Sequence, residues 1–290
     1  MRLRALLACA VAVAAAAPAS ATSRPAAEPA YQRYVALGDS YAAGPQIPEP
    51  VPGSVPGCGR STAGYPALLA AWLRVPTFVD VTCSGATTAH LTGPQAVSGG
   101  VNPAQFTALT PDTDLVTLTI GGNDMGFGRI VETCAREGRA DPGGAPCRAY
   151  FTRSGTDVPA ADVAAAGRRT TALLRRVHEL APRAKVVVVG YARILPEGPG
   201  CWPLMPFAAG DTAYFDSVER RLNDSLAAAA AATGSEHVDP YRYGTGHDAC
   251  AAPERRWVEP LLPASPAAVV HPNARGMAAV AALAWLAAHR

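Results

Sequence analysis

Residues 33–44 read R-Y-V-A-L-G-D-S-Y-A-A-G, an apolar run that stops at Gly38-Asp39-Ser40. Tyr34, Val35 and Leu37 have the β-branched and aromatic character of a buried strand, and the Gly-Asp-Ser turn marks its end. A hydroxyl held where a strand leaves its sheet is well placed to attack a substrate. Serine Oγ is a weak nucleophile at neutral pH, so this reading requires a general base and hydrogen-bond donors for the oxyanion that acyl transfer creates.

Beyond this stretch, residues 44–64 are dense in Pro and Gly and read as a loop above the sheet edge. Residues 65–73 then form a helix with Pro66 in its first turn. A second strand over 78–83 stops at Ser84-Gly85-Ala86, and a third over 114–120 stops at Gly121-Gly122-Asn123-Asp124. The run K-V-V-V-V-G-Y at 185–191 suits a fourth, parallel strand covered on both faces, with a short last strand at 236–239. Helical spacing is expected over 102–109, 158–180, 211–232 (capped by Asp211) and 273–289, whereas 126–147 has mixed polarity and no assigned element. Long loops fill 196–210 and 241–266, and the apolar 202–207 segment either lines a groove or packs under the loop. Strand and helix alternate without a repeat, which predicts a doubly wound parallel sheet. Ligands of such sheets sit beyond the carboxyl ends of the strands, where Ser40, Gly85 and Asn123 all fall.

The chain has 290 residues. Arg2 and Arg4, an Ala/Leu/Val run and Ala19-Ser20-Ala21 make residues 1–21 a secretory leader, leaving 22–32 as a flexible segment and 33–290 as one domain. Without Arg2 and Arg4 the basic count falls from 25 to equal the 23 acidic residues, so no nucleic-acid partner is expected. No later stretch is apolar enough to insert stably in a membrane, and a monomer is expected. Cys58, Cys83, Cys134, Cys147, Cys201 and Cys250 are an even set in an exported chain and imply disulfides. Several pairings are open, the simplest joining neighbours: Cys58 with Cys83, Cys134 with Cys147, Cys201 with Cys250. Neither C-x-x-C nor H-E-x-x-H occurs, and neither a metal nor a cofactor is expected.

Four pieces combine: Ser40 after the first strand, Gly85 after the second, Asn123 after the third, and His271 in V-V-H-P-N before the last helix. Together, G-D-S-Y, the glycine of C-S-G-A-T-T, G-G-N-D and H-P-N resemble the SGNH hydrolase, or GDSL-type esterase and lipase, superfamily. The six cysteines are similar to its small secreted, three-disulfide branch. The resemblance implies a flavodoxin-like α/β/α sandwich of about five parallel strands in the order 2-1-3-4-5. It also implies hydrolysis of carboxylic esters through an acyl-enzyme. Ser40 would be the nucleophile and His271 the base, with the N–H groups of Ser40 and Gly85 and the Asn123 amide facing the oxyanion.

One position departs from the usual family motif. Three residues before His271, where an aspartate commonly orients the imidazole, stands Ala268. A Ser-His dyad is therefore expected, with the ring oriented by a backbone carbonyl, most simply that of Ala268; Asp239 and Asp248 are the acids that could substitute. Asp39 and Asp124 read as turn-fixing groups. A G-x-S-x-G elbow is absent, which excludes an α/β-hydrolase. The substrate is expected to be a small-molecule or lipid ester, and the alternatives are a carbohydrate O-acetylesterase, a phospholipase A, or an inactive binding module on the same fold.

Overall fold

The computed structural model describes residues 29–290; the expected leader at 1–21 and most of 22–32 lie outside the described residues. The first half of the chain contains β1 (Arg33–Gly38), α1 (Ser40–Ala43), α2 (Tyr65–Leu73), β2 (Thr77–Asp80), β3 (Gln95–Val97), β4 (Gly100–Asn102) and β5 (Leu115–Thr119). Then follow α3 (Phe127–Ala140), α4 (Pro146–Thr152), α5 (Val158–Leu180), β6 (Lys185–Val189) and α6 (Thr212–Ala231). The chain closes with β7 (Glu236–Val238), α7 (Pro240–Tyr243) and α8 (Ala274–Ala288).

Five strands pair in the order β2-β1-β5-β6-β7, all parallel. Leaving aside the separate β3-β4 hairpin, this is the 2-1-3-4-5 order of a flavodoxin-like sheet. Alternation along the strands divides the core. Tyr34, Ala36, Leu115, Val187 and Val189 face one side with Leu69, Met277, Val280 and Ala284 of α2 and α8. Val35, Leu37, Val116, Leu118, Val186 and Val188 face the other with residues of α3, α5 and α6. The centre of the sheet is thus buried on both faces, as its near-continuous apolar strands require.

Some elements differ from the sequence reading. The second strand ends at Asp80, although Val81 and Cys83 still donate to Ala36 and Gly38. Helices α3 and α4 occupy part of the segment left unassigned. The buried stripe of α3, Ile130, Val131, Cys134, Ala135 and Gly138, has helical spacing but includes Cys and Gly, which blur an apolar signal. The β3-β4 hairpin was also missed, because three-residue strands are too short to show a period. Asp211 precedes α6, yet its carboxylate accepts from Cys147 N (2.8 Å) and Arg148 N (2.9 Å), so it caps α4 instead. Disulfides join Cys58–Cys83, Cys134–Cys147 and Cys201–Cys250. No helix among the described residues is long and apolar enough to cross a membrane.

Candidate active site

At the carboxyl end of β1 the backbone turns sharply into α1. Asp39 caps α1, its Oδ1 accepting from Tyr41 N at 2.9 Å, and this places Ser40 on the first helical turn. Gln105 clamps the strand end: its Oε1 accepts from Gly38 N (2.7 Å) and its Nε2 donates to Gly38 O (2.9 Å). Ser40 Oγ lies 2.8 Å from His271 Nε2, across 231 positions of sequence.

The other imidazole nitrogen, Nδ1, lies 2.8 Å from the carbonyl oxygen of Val269. The expectation that Ala268 supplies this carbonyl is therefore corrected. Ala268 O is engaged by the backbone N–H of His271 at 3.2 Å, closing a turn, and the left-handed φ of 59° at Val270 is part of that turn. Tyr41 Oη donates to Val270 O (2.7 Å), and the Val270 N–H donates to Glu259 O (2.9 Å), so the turn is pinned from two sides. Asp239 instead caps α7 through Arg242 N, and Asp248 accepts from Cys250 N at 2.9 Å; neither carboxylate hydrogen-bonds His271. Burial lowers the His271 pKa below the ordinary histidine value, outweighing the carbonyl at Nδ1, which favours the neutral ring whose Nε2 can accept a proton.

Gly85 adopts a φ of 77°, a region open to glycine and strained for other residues. Asn123 Nδ2 donates to Ala86 O at 2.9 Å, which ties the third-strand turn to the Gly85 loop and leaves the second amide N–H available. Asp124 reinforces the tie by accepting from Thr88 N (2.9 Å), Thr88 Oγ1 (2.5 Å) and Arg169 (3.1 Å). Behind Ser40, the buried Tyr191 hydroxyl donates to Asp39 Oδ2 at 2.5 Å and accepts from Gly122 N at 2.8 Å. Burial pushes the Asp39 carboxyl up to about 7, although the bonds from Tyr191 and Tyr41 pull the other way.

Ser40, Gly85, Asn123 and His271 open onto one groove of about 840 Å³, which is also lined by residues of α3 and by Leu261, Ala268, Val269 and Val270. Of the two readings of the apolar 202–207 segment, packing is the one that holds: Met205 and Phe207 are buried in the core, Trp202 is half exposed, and none of the six lines the groove. Sequence reasoning missed Gln105, Tyr191 and the α3 wall. Only the continuation of apolar character to Tyr191 beyond the fourth strand pointed to any of them.

The profile of the GDSL-like Lipase/Acylhydrolase family matches residues 36–279. The chain belongs to this family. It is 41% identical to Lipase 2 of Streptomyces coelicolor over 262 residues, covering 89% of this chain and 86% of that protein. Among solved structures, phospholipase A1 from Streptomyces albidoflavus NA297 superposes with a TM-score of 0.73 at 30% identity, covering 89% of this chain and 98% of that one. The extracellular lipase from Streptomyces rimosus gives 0.71 at 29% identity, covering 88% and 98%. The protein is a carboxylic ester hydrolase of the GDSL family.

Proposed function

We propose that the protein is an exported esterase or lipase that cleaves carboxylic esters through an acyl-enzyme on Ser40, with His271 as the only side-chain base. The observation that carries this reading is the 2.8 Å contact between Ser40 Oγ and a neutral His271 Nε2. In acylation the Oγ–H proton passes to Nε2 as Oγ bonds to the ester carbonyl carbon. The carbonyl oxygen, now an oxyanion, is received by the N–H groups of Ser40 and Gly85 and by Asn123 Nδ2. Loss of one such donor typically lowers the rate by about 10²–10³-fold. Collapse of the intermediate expels the alcohol oxygen, which takes the proton from Nε2; water then repeats the sequence to release the acid.

The Val269 carbonyl keeps a proton on Nδ1 and so fixes the tautomer that leaves Nε2 basic. A neutral carbonyl stabilises the imidazolium less than a carboxylate would, so the dyad relies more heavily on its oxyanion donors. Export through the 1–21 leader is consistent with three disulfides, which persist in oxidising compartments.

The test uses purified mature protein with p-nitrophenyl esters, a serine-directed phosphonate, and Ser40→Ala. Ester turnover, a phosphonyl adduct on Ser40 and loss of both in Ser40→Ala are expected. A folded protein that neither turns over esters nor takes the label at Ser40 would be a binding module. Parallel assays on phosphatidylcholine and acetylxylan separate lipase, phospholipase and sugar-acetylesterase activity.

A further inference from the structure

The wall that α3 presents to the groove has a definite order. Phe127, Val131, Ala135 and Arg139 all line it, and at four-residue spacing they form one row along the helix. The row begins beside the nucleophile, since the Phe127 ring packs edge-on against Tyr41, its centroid 6.2 Å away. From there the row becomes smaller and remains apolar, from Phe through Val to Ala, and then meets Arg139; Glu132, one residue on from Val131, also lines the groove beside the row. Arg136, held by Glu137 at 2.8 and 3.0 Å, also lines the groove near this far end. Pro45, Leu261 and Val269 line the same groove.

We propose that this row binds the acyl chain of the substrate and measures its length, with Arg139 as the stop. The inference rests on the esterase reading above and adds to it the class of acyl group. At about 1.5 Å of helix rise per residue, the apolar stretch from Phe127 to Ala135 spans ~12 Å. A zigzag of ~1.5 Å C–C bonds advances about 1.3 Å per carbon, so the stretch holds a saturated chain of roughly eight to ten carbons. Shorter chains leave apolar surface uncovered, and each buried methylene changes affinity roughly fourfold. Longer chains must place methylenes against a guanidinium that prefers water. The acyl-length profile is therefore peaked at medium chains.

Two ester series test this on the purified mature protein: p-nitrophenyl esters of increasing acyl length, and octanoate esters of alcohols of increasing length. The wild type is expected to peak at roughly eight to ten acyl carbons, the span of the apolar row. Arg139→Leu replaces the stop with one more apolar turn and moves the peak about four carbons longer, the length of one ~5.4 Å helical turn. Ala135→Leu fills the groove and moves the peak shorter; because Ala135 is buried, its folding is checked by circular dichroism, and Arg139→Leu carries the test if it misfolds. Ester turnover with an acyl profile that Arg139→Leu does not move overturns the ruler and leaves the esterase reading intact. A shift seen in the alcohol series instead also overturns it, since the row would then hold the alcohol. If the wild type turns over no ester, both readings fall together.

Discussion

The hydroxyl of Tyr191 links two turns that the sequence separates widely. By donating to Asp39 and accepting from Gly122 N, it sets the distance between the cap of the helix that carries Ser40 and the turn that carries Asn123. Asp39 faces Tyr191 and Tyr41 directly, with the Asp124 charge further off, and burial moves its carboxyl from an ordinary 3.8 to about 7. Between roughly pH 4 and 7 the folded protein therefore keeps a proton that the unfolded chain has released. At this site stability falls as pH rises through that window and is level above it. Tyr191→Phe removes a donor that favours the charged carboxylate, and it leaves the Gly122 N–H unpaired at a cost of about 1–3 kcal/mol. Urea midpoints are expected to drop more at pH 8, where Asp39 is ionised, than at pH 5. Equal losses at both values would show that the hydroxyl does not couple to Asp39.

Among the elements, the loop that carries His271 has the most conspicuous support. Glu259 is fully buried beneath it and accepts from Asn273 Nδ2 (2.7 Å), Ala264 N (2.8 Å) and Ser265 N (3.3 Å). Burial alone would push this carboxyl up, but the three donors outweigh it and hold the pKa below the ordinary 4.5. Its contribution to stability is therefore present above about pH 4.5 and is lost as pH falls below that value. Glu259→Gln turns an amide N–H towards groups that are themselves donors, costing about 1–3 kcal/mol. Because the Glu259 backbone also bonds Val270 and His271, kcat is expected to fall about tenfold, the loss that 1.4 kcal/mol of misplaced transition-state support gives. KM should change little; a change confined to KM would mean that Glu259 shapes the groove rather than positioning the base. Helix α3, which also lines the groove, packs closely at Gly138, where an added Cβ would collide with Pro206 O.

At the scale of the whole molecule, the sheet supplies a rigid edge, and the disulfides secure the loops that rise from it. Cys58–Cys83 sits two residues from Gly85, Cys134–Cys147 joins the groove helix α3 to α4, and Cys201–Cys250 ties the loop after β6 to the segment leading towards His271. Paired Cys→Ser replacement of each bridge should separate stability from activity. The bridges span 49 and 13 positions in the two outer cases, so losing Cys201–Cys250 is expected to destabilise more than losing Cys134–Cys147. Chain entropy puts that difference at about 1 kcal/mol. Activity should suffer most without Cys58–Cys83, because that bridge backs the Gly85 loop. Thermal melts alongside initial rates check both orderings, and the same activity loss for all three pairs would remove any local role for Cys58–Cys83.

Much of this was legible in the residues. Alternating strand and helix signals with continuous apolar strands imposed a parallel sheet covered on both faces, because such strands are stable only when both sides are buried. That Ser40, Gly85, Asn123 and His271 would meet could be anticipated because each stands at a strand or helix edge in a short, distinctive block, and all four do line one groove. Tertiary structure alone decided the remainder. Whether Ala268 or Val269 faces the imidazole depends on one left-handed residue, Val270, whose conformation is imposed by bonds to Tyr41 and Glu259. The groove's apolar wall is α3 rather than the 202–207 segment, because burial against the sheet draws Met205 and Phe207 inward and leaves the Phe127 row facing the site. Local pattern determines which elements form; which carbonyl or side chain reaches the reacting atoms is settled by contacts between residues distant in sequence.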